Sequence, residues 1–191
     1  MQERYSMSRL TGSNQNSLID SPDALNVKSM QKRFGTVGLG GTFDELHKGQ
    51  RALLIKAFEI GERVMIGVSS NEFVRKMDKP HQTASYEERT RELRDFLRDQ
   101  GVLQRAEIIP INDAYGGVLL SKDPIEALVV SEETEPVALK INEKRKEIGI
   151  DTLEIIVIDM VPSQNHVAIS TTRIRTGEID REGHILKRKG K

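Results

Sequence analysis

Three features of the chain predict an α/β fold: a Rossmann-like parallel sheet of about five strands, order 3-2-1-4-5, with helices on both faces. From Phe34 onward, short apolar runs alternate with longer amphipathic ones, which is the pattern of βαβ units. "RVMIGV" (63–68) and "LEIIVI" (153–158) are continuously apolar, as strands buried on both faces must be. A glycine pair closes the first apolar run and leads into a helical pattern, the turn that a parallel sheet needs before its first crossover.

The elements follow in order. "TVGLG" (36–40) is strand 1. "GQRALLIKAFEIG" (49–61) is a helix with Leu53, Leu54, Ala57, Phe58 and Ile60 on one face and Gly61 as its stop. "RVMIGVSS" (63–70) is strand 2, and "NEFVRKM" (71–77) supplies about two helical turns. "YEERTRELRDFLRDQG" (86–101) is the next helix, acidic in its first turn, with Leu93, Phe96 and Leu97 as its buried stripe. Its arginines, Arg89 among them, read as a solvated face with intrahelical pairs. "AEIIPIN" (106–112) is strand 3, weakened toward its end by Pro110. "IEALVVS" (125–131) is strand 4. "EPVALKINEKRKEIG" (135–149) is a helix with Pro136 in its first turn and Gly149 after its last. "LEIIVIDMV" (153–161) is strand 5, and "STTRIRTG" (170–177) is a short final helix, with Arg173 expected to face solvent.

Residues 1–33 carry no sustained apolar period and are expected to be a disordered extension; Met30 looks like an alternative start. The expected domain spans 34–183, followed by a basic tail at 184–191.

Composition removes several function classes. Lys plus Arg equals Asp plus Glu, 29 each, so no basic excess points to nucleic acid or a membrane surface. There is no cysteine, which excludes disulfides, thiol nucleophiles and thiolate metal sites. Tryptophan is absent and aromatic residues make up 4%, a poor basis for base-stacking platforms. No apolar run would span a bilayer, and no secretory signal opens the chain, so the expected location is the cytoplasm.

In such sheets, ligands bind beyond the carboxyl ends of the strands where the strand order reverses, here after strands 1 and 4. The turn after strand 1 is neither a dinucleotide fingerprint, since Phe43 stands where G-x-G-x-x-G needs glycine, nor a P-loop. It can still cradle phosphate. Gly40 and Gly41 let backbone N–H groups approach an anion, and Thr42 adds a hydroxyl. His47 and Gln50 lie at the start of the next helix, three residues apart on one face, beside its partial positive charge. The alternative is a tight strand-to-helix turn with a surface histidine.

"GGTFDELHKGQ" (40–50) resembles the signature of the nucleotidyltransferase superfamily that carries a G-T-F-D turn and an H-x-G-H helix start. "ISTTRIR" (169–175) resembles that superfamily's I-S-x-T-x-x-R element. "ALVVSEET" (127–134) and "TRIRTGEIDREG" (172–183) are similar to the archaeal and eukaryotic type of phosphopantetheine adenylyltransferase. The resemblance implies adenylyl transfer from ATP to 4′-phosphopantetheine, giving dephospho-coenzyme A and pyrophosphate.

It also implies roles for residues. Gly40, Gly41, Thr42 and Phe43 would form the phosphate turn, with Thr42 between the ATP α-phosphate and the acceptor phosphate. His47 would be catalytic. Lys79, or Lys76 in another register, would neutralise phosphate. Ser131 and Glu132 would approach the nucleotide. Ser170, Thr171 and Thr172 would face the β- and γ-phosphates, and Arg175 matches the closing arginine. Asp113 would border the acceptor, although a plain turn explains it nearly as well. Gln50 replaces the second motif histidine and keeps a donor without a charge.

Mg²⁺ is expected to arrive with ATP rather than in a protein cage. His81, His166 and His184 lie apart and read as surface or locally bonded histidines. Two other readings stay open. The acceptor could be FMN, NMN or a phosphorylated alcohol, or the chain could be an ATP-binding module without turnover. The oligomeric state is not legible.

Overall fold

The structure, a computed structural model, describes residues 32–77, 81–115 and 125–186. The expected N-terminal extension and most of the basic tail lie outside the described residues. Five strands form one parallel sheet in the order β3-β2-β1-β4-β5. They are β1 Phe34–Gly41, β2 Gly61–Ser69, β3 Ala106–Ile111, β4 Ala127–Ser131 and β5 Glu154–Ile158. The helices are α1 Lys48–Ile60, α2 Asn71–Lys76, α3 Tyr86–Asp99, α4 Glu135–Glu147 and α5 Thr171–Arg175.

The period of two along the strands sorts side chains to opposite faces and builds two cores. Val64 and Ile66 of β2 and Ala127 and Val129 of β4 point to one face, where Leu54, Ala57 and Phe58 of α1 and Leu93 and Leu97 of α3 cover them. The intervening Met65 and Leu128 point to the other, against Ala138 and Ile141 of α4. The continuous apolar runs are therefore the mark of a sheet covered on both sides.

Pro110 is accommodated because β3 is an edge strand. The helix stops differ in kind. Gly149 takes φ +73°, and the next N–H, of Ile150, donates back to the Arg145 carbonyl at 2.9 Å, closing α4 in the expected left-handed manner. Gly61 has φ −105° and opens β2 directly.

Leu97 is fully buried in the first core. Leu97→Ala should lower unfolding free energy by about 3 kcal/mol. Urea denaturation would check this, with the ligand cavity unchanged because Leu97 does not line it.

The two halves of the sheet part at the strand-order reversal. β1 pairs with β4 only at Val37–Ala127 and Gly38–Leu128, whereas it continues beside β2 to Gly41–Val68. β4 continues beside β5 to Ser131–Ile158. Beyond Gly38 the carboxyl ends of β1 and β4 diverge and leave a crevice.

Candidate active site

The crevice is a cavity of about 560 Å³, within the size range of small-molecule sites. One wall is the turn after β1, and another is the start of α5. Gly40, Gly41, Thr42, Phe43, His47, Gln50, Ser170, Thr171 and Thr172 all line it, so two segments far apart in sequence share one cleft. Ser131 lines it from the end of β4.

The turn is strained and held from several directions. Phe43 and Glu45 take positive φ, 51° and 63°, a region side-chain-bearing residues avoid unless their surroundings impose it. Asp44, between them, is fully buried. Its carboxylate accepts from the Ala84 N–H at 3.1 Å and from Arg175 Nη2 and Nε at 2.9 and 3.2 Å. Its carbonyl accepts from Thr171 Oγ1 at 3.1 Å. Thr171 and Arg175 thus tie α5 to the turn. Gly41 packs closely, since a Cβ there would lie 3.3 Å from the Phe43 ring.

His47 precedes α1 as its N-cap and is 8% exposed. Burial, then the neighbouring Arg51 charge, pushes its pKa down to about 4, with Glu45 opposing. The imidazole is therefore neutral near pH 7. Its Nδ1 is buried in the cleft with no hydrogen-bond partner among the described residues. A Cβ at Gly49 would approach that ring to 3.2 Å, so a larger residue there would have to push the imidazole aside.

Gln50 departs from its expected role. Its Oε1 accepts the His47 backbone N–H at 3.2 Å, which caps α1. That bond orients the amide, because only the oxygen can accept. The Nε2 end remains a donor, and Gln50 lines the cavity. Ser170 caps α5 by accepting the Arg173 N–H at 3.4 Å, so one hydroxyl in the motif serves the helix.

Three other expected residues are not in the cavity wall. Arg175 reaches behind the wall to Asp44 and Glu45. Glu132 points elsewhere, and its neighbour Glu133 lines the cleft, because the chain turns toward α4 after Ser131. Asp113 is exposed and accepts the Tyr115 N–H at 2.8 Å, the plain turn, while Ala114 and Tyr115 face the cleft. Lys79 lies outside the described residues, and Lys76 pairs with Glu72 on α2.

Several residues read as surface are not. His81 lines the cavity. Arg173 bonds to Glu178, Asn165, Ser163 and the carbonyls of Val167 and Ala168. Arg89 is 1% exposed, which corrects its assignment to a solvated face. His184 is exposed and paired locally with Asp180, as expected.

Among the described residues, no lysine or arginine lines the cavity and no cluster of three His, Asp or Glu side chains could hold a metal. The wall offers hydroxyls, backbone N–H groups, an amide and imidazoles toward the turn. Toward β2, β3 and β4 it is apolar, through Met65, Ile109, Ile111 and Leu128.

A hydroxyl- and amide-lined turn at the reversal point of a parallel sheet is the site of a nucleotidyltransferase, and the cytidylyltransferase-like family model matches residues 39–177. A phosphopantetheine adenylyltransferase from Methanothermobacter thermautotrophicus is 45% identical over 159 residues, covering 83% of this chain and 94% of that protein. One from Methanopyrus kandleri is 47% identical over 148 residues, covering 78% and 92%. A crystal structure of a protein of unknown function from Archaeoglobus fulgidus superposes with TM-score 0.59 at 35% identity, over 65% of this chain and 89% of that one. The chain belongs to the cytidylyltransferase-like family and, within it, to the phosphopantetheine adenylyltransferases.

Proposed function

We propose that this chain transfers the adenylyl group of ATP to 4′-phosphopantetheine, releasing pyrophosphate and giving dephospho-coenzyme A. The observation that carries the reading is the junction of the two motif segments at one cleft, through the Thr171–Asp44 hydrogen bond. An acceptor phosphate oxygen attacks the α-phosphorus in line, and the bond from that phosphorus to the bridging oxygen breaks. No protein nucleophile is needed. The chain's part is positioning and stabilisation of charge on the α-phosphate and the departing pyrophosphate.

Each group has work suited to its place. Gly40, Gly41 and Thr42 present donors to the phosphates, and the Thr171 N–H and Thr172 do so from the start of α5. His47, held neutral near pH 7 by burial, gains a reason to hold a proton once a polyanion arrives. Mg²⁺ enters as part of the ATP substrate, its charge shared among phosphate oxygens. The apolar wall favours phosphopantetheine among phosphorylated acceptors, because its pantoyl arm carries two methyl groups, whereas a mononucleotide presents a polar ribose there.

Pyrophosphate release from ATP, assayed with 4′-phosphopantetheine, FMN and NMN in parallel, tests the reading. Release is expected with the first alone. Release with another acceptor only would transfer the chemistry to that acceptor. ATP binding without release would identify a binding module.

A further inference from the structure

Arg89 is a charged residue buried where the reaction above gives it no task. It lies in the first turns of α3, and its guanidinium donates to three carbonyls on three segments. Nη1 reaches Thr42 at 2.6 Å, Nη2 reaches Ser69 at 2.7 Å and Nε reaches Ala84 at 2.9 Å. These are the turn after β1, the last residue of β2 and the entry to α3. Its hydrogen-bond partners among the described residues are neutral carbonyls; the guanidinium also lies 5.9 Å from the Tyr86 ring, and the fully buried Asp44 and then Glu87 act on it through their fields. Burying a cation among carbonyls is expensive, and a core leucine at this point of the α3 stripe would avoid the expense.

The Thr42 contact has a directional consequence. In a trans peptide, C=O and N–H point oppositely. With the Thr42 carbonyl turned to Arg89, the Phe43 N–H points away from the guanidinium, and it donates to none of the described residues. Phe43 and Thr42 both line the cavity. A buried cation thus stands one peptide behind a wall that, among the described residues, has neither lysine nor arginine.

We propose that Arg89 is a positioning residue for the phosphate turn: it aims the Thr42–Phe43 peptide into the cavity and places a fixed positive charge behind it. The proposal rests on the reading of the cleft as a triphosphate site. Arginine suits the task because its planar fork spreads donors over three nitrogens that reach carbonyls on three segments, whereas the three donors of a lysine sit on one nitrogen.

The test compares Arg89→Lys and Arg89→Ala with wild type and with Leu97→Ala, a control destabilised on the same helix but remote from the cavity. ATP binding by calorimetry and pyrophosphate release are measured well below each variant's unfolding midpoint. Arg89→Ala should bind ATP roughly tenfold more weakly and turn over ten- to hundredfold more slowly, with Arg89→Lys between it and wild type. Guanidinium ion at tens of millimolar should restore part of the lost ATP affinity to Arg89→Ala and none to Leu97→Ala. Wild-type ATP affinity in folded Arg89→Ala would overturn the proposal. So would losses no larger than those of Leu97→Ala, or failure of both Arg89 variants to fold. If wild type bound ATP but released no pyrophosphate, the proposed reaction would fall, while the ATP affinities would still decide Arg89.

Discussion

His47→Ala will slow pyrophosphate release by roughly 10²–10³, the size of effect seen when one donor to transition-state charge is lost. The residue occupies the N-cap of α1 in the cleft, with a buried Nδ1 that has no hydrogen-bond partner among the described residues. Its pKa of about 4 leaves it neutral near pH 7. Phosphate arriving beside it supplies negative charge, so its pKa rises on binding. ATP binding near pH 6 should therefore take up a proton in wild type and less in His47→Ala. Calorimetry in buffers of different ionisation enthalpy measures that difference.

The same shift predicts a stability slope. The unfolded chain binds this proton at the ordinary value of 6.5, and the folded chain only near 4. Between those values the unfolded state holds more protons, so stability falls as pH drops from 6.5 toward 4, by a total on the order of 3 kcal/mol. The wild-type minus His47→Ala difference in urea midpoints isolates this contribution from the carboxylates. Unchanged turnover in the variant would remove His47 from the mechanism, whatever the slope.

Much of the architecture is written locally. The alternation of Val64, Met65 and Ile66 between two cores is legible as an apolar run of strand length, and Gly149 announces the end of α4. The glycine turn and the serine–threonine start of α5 are legible for the same reason, since backbone exposure and helix capping are short-range properties. What escaped was set by tertiary packing. The neutrality of His47 comes from burial, which its neighbours in sequence do not report. Arg89 was read with the solvated arginines of α3, yet it stands at four-residue spacing from Leu93 and Leu97, on the helix's buried stripe. A charge in register with core leucines was the available signal. Glu133 rather than Glu132 faces the cleft because of the turn after Ser131, where one residue changes direction completely. The apolar wall that favours phosphopantetheine draws on β2, β3 and β4 together, and no single segment displays it.

Arg175→Ala will destabilise the fold by about 3–5 kcal/mol, the range for breaking a buried ion pair from one side. Asp44 is fully buried, and without Arg175 its carboxylate keeps the Ala84 N–H as its direct hydrogen bond. The loss should appear as a lower urea midpoint. ATP affinity should fall as well, because Asp44 lies between two residues held at positive φ and its carbonyl anchors Thr171. Arg175→Lys should recover part of the stability, since one charge-assisted bond can reform. Asp44→Ala in combination with Arg175→Ala should cost less than the sum of the two, because a buried charge no longer stands alone. The resemblance to the I-S-x-T-x-x-R element places this arginine on the nucleotide, and the two roles separate cleanly. A phosphate ligand would lose ATP affinity on substitution while the urea midpoint held; a brace behind the wall loses stability first and affinity through it. A wild-type midpoint in Arg175→Ala with strongly weakened ATP binding would therefore move Arg175 from the back of the turn into the site itself.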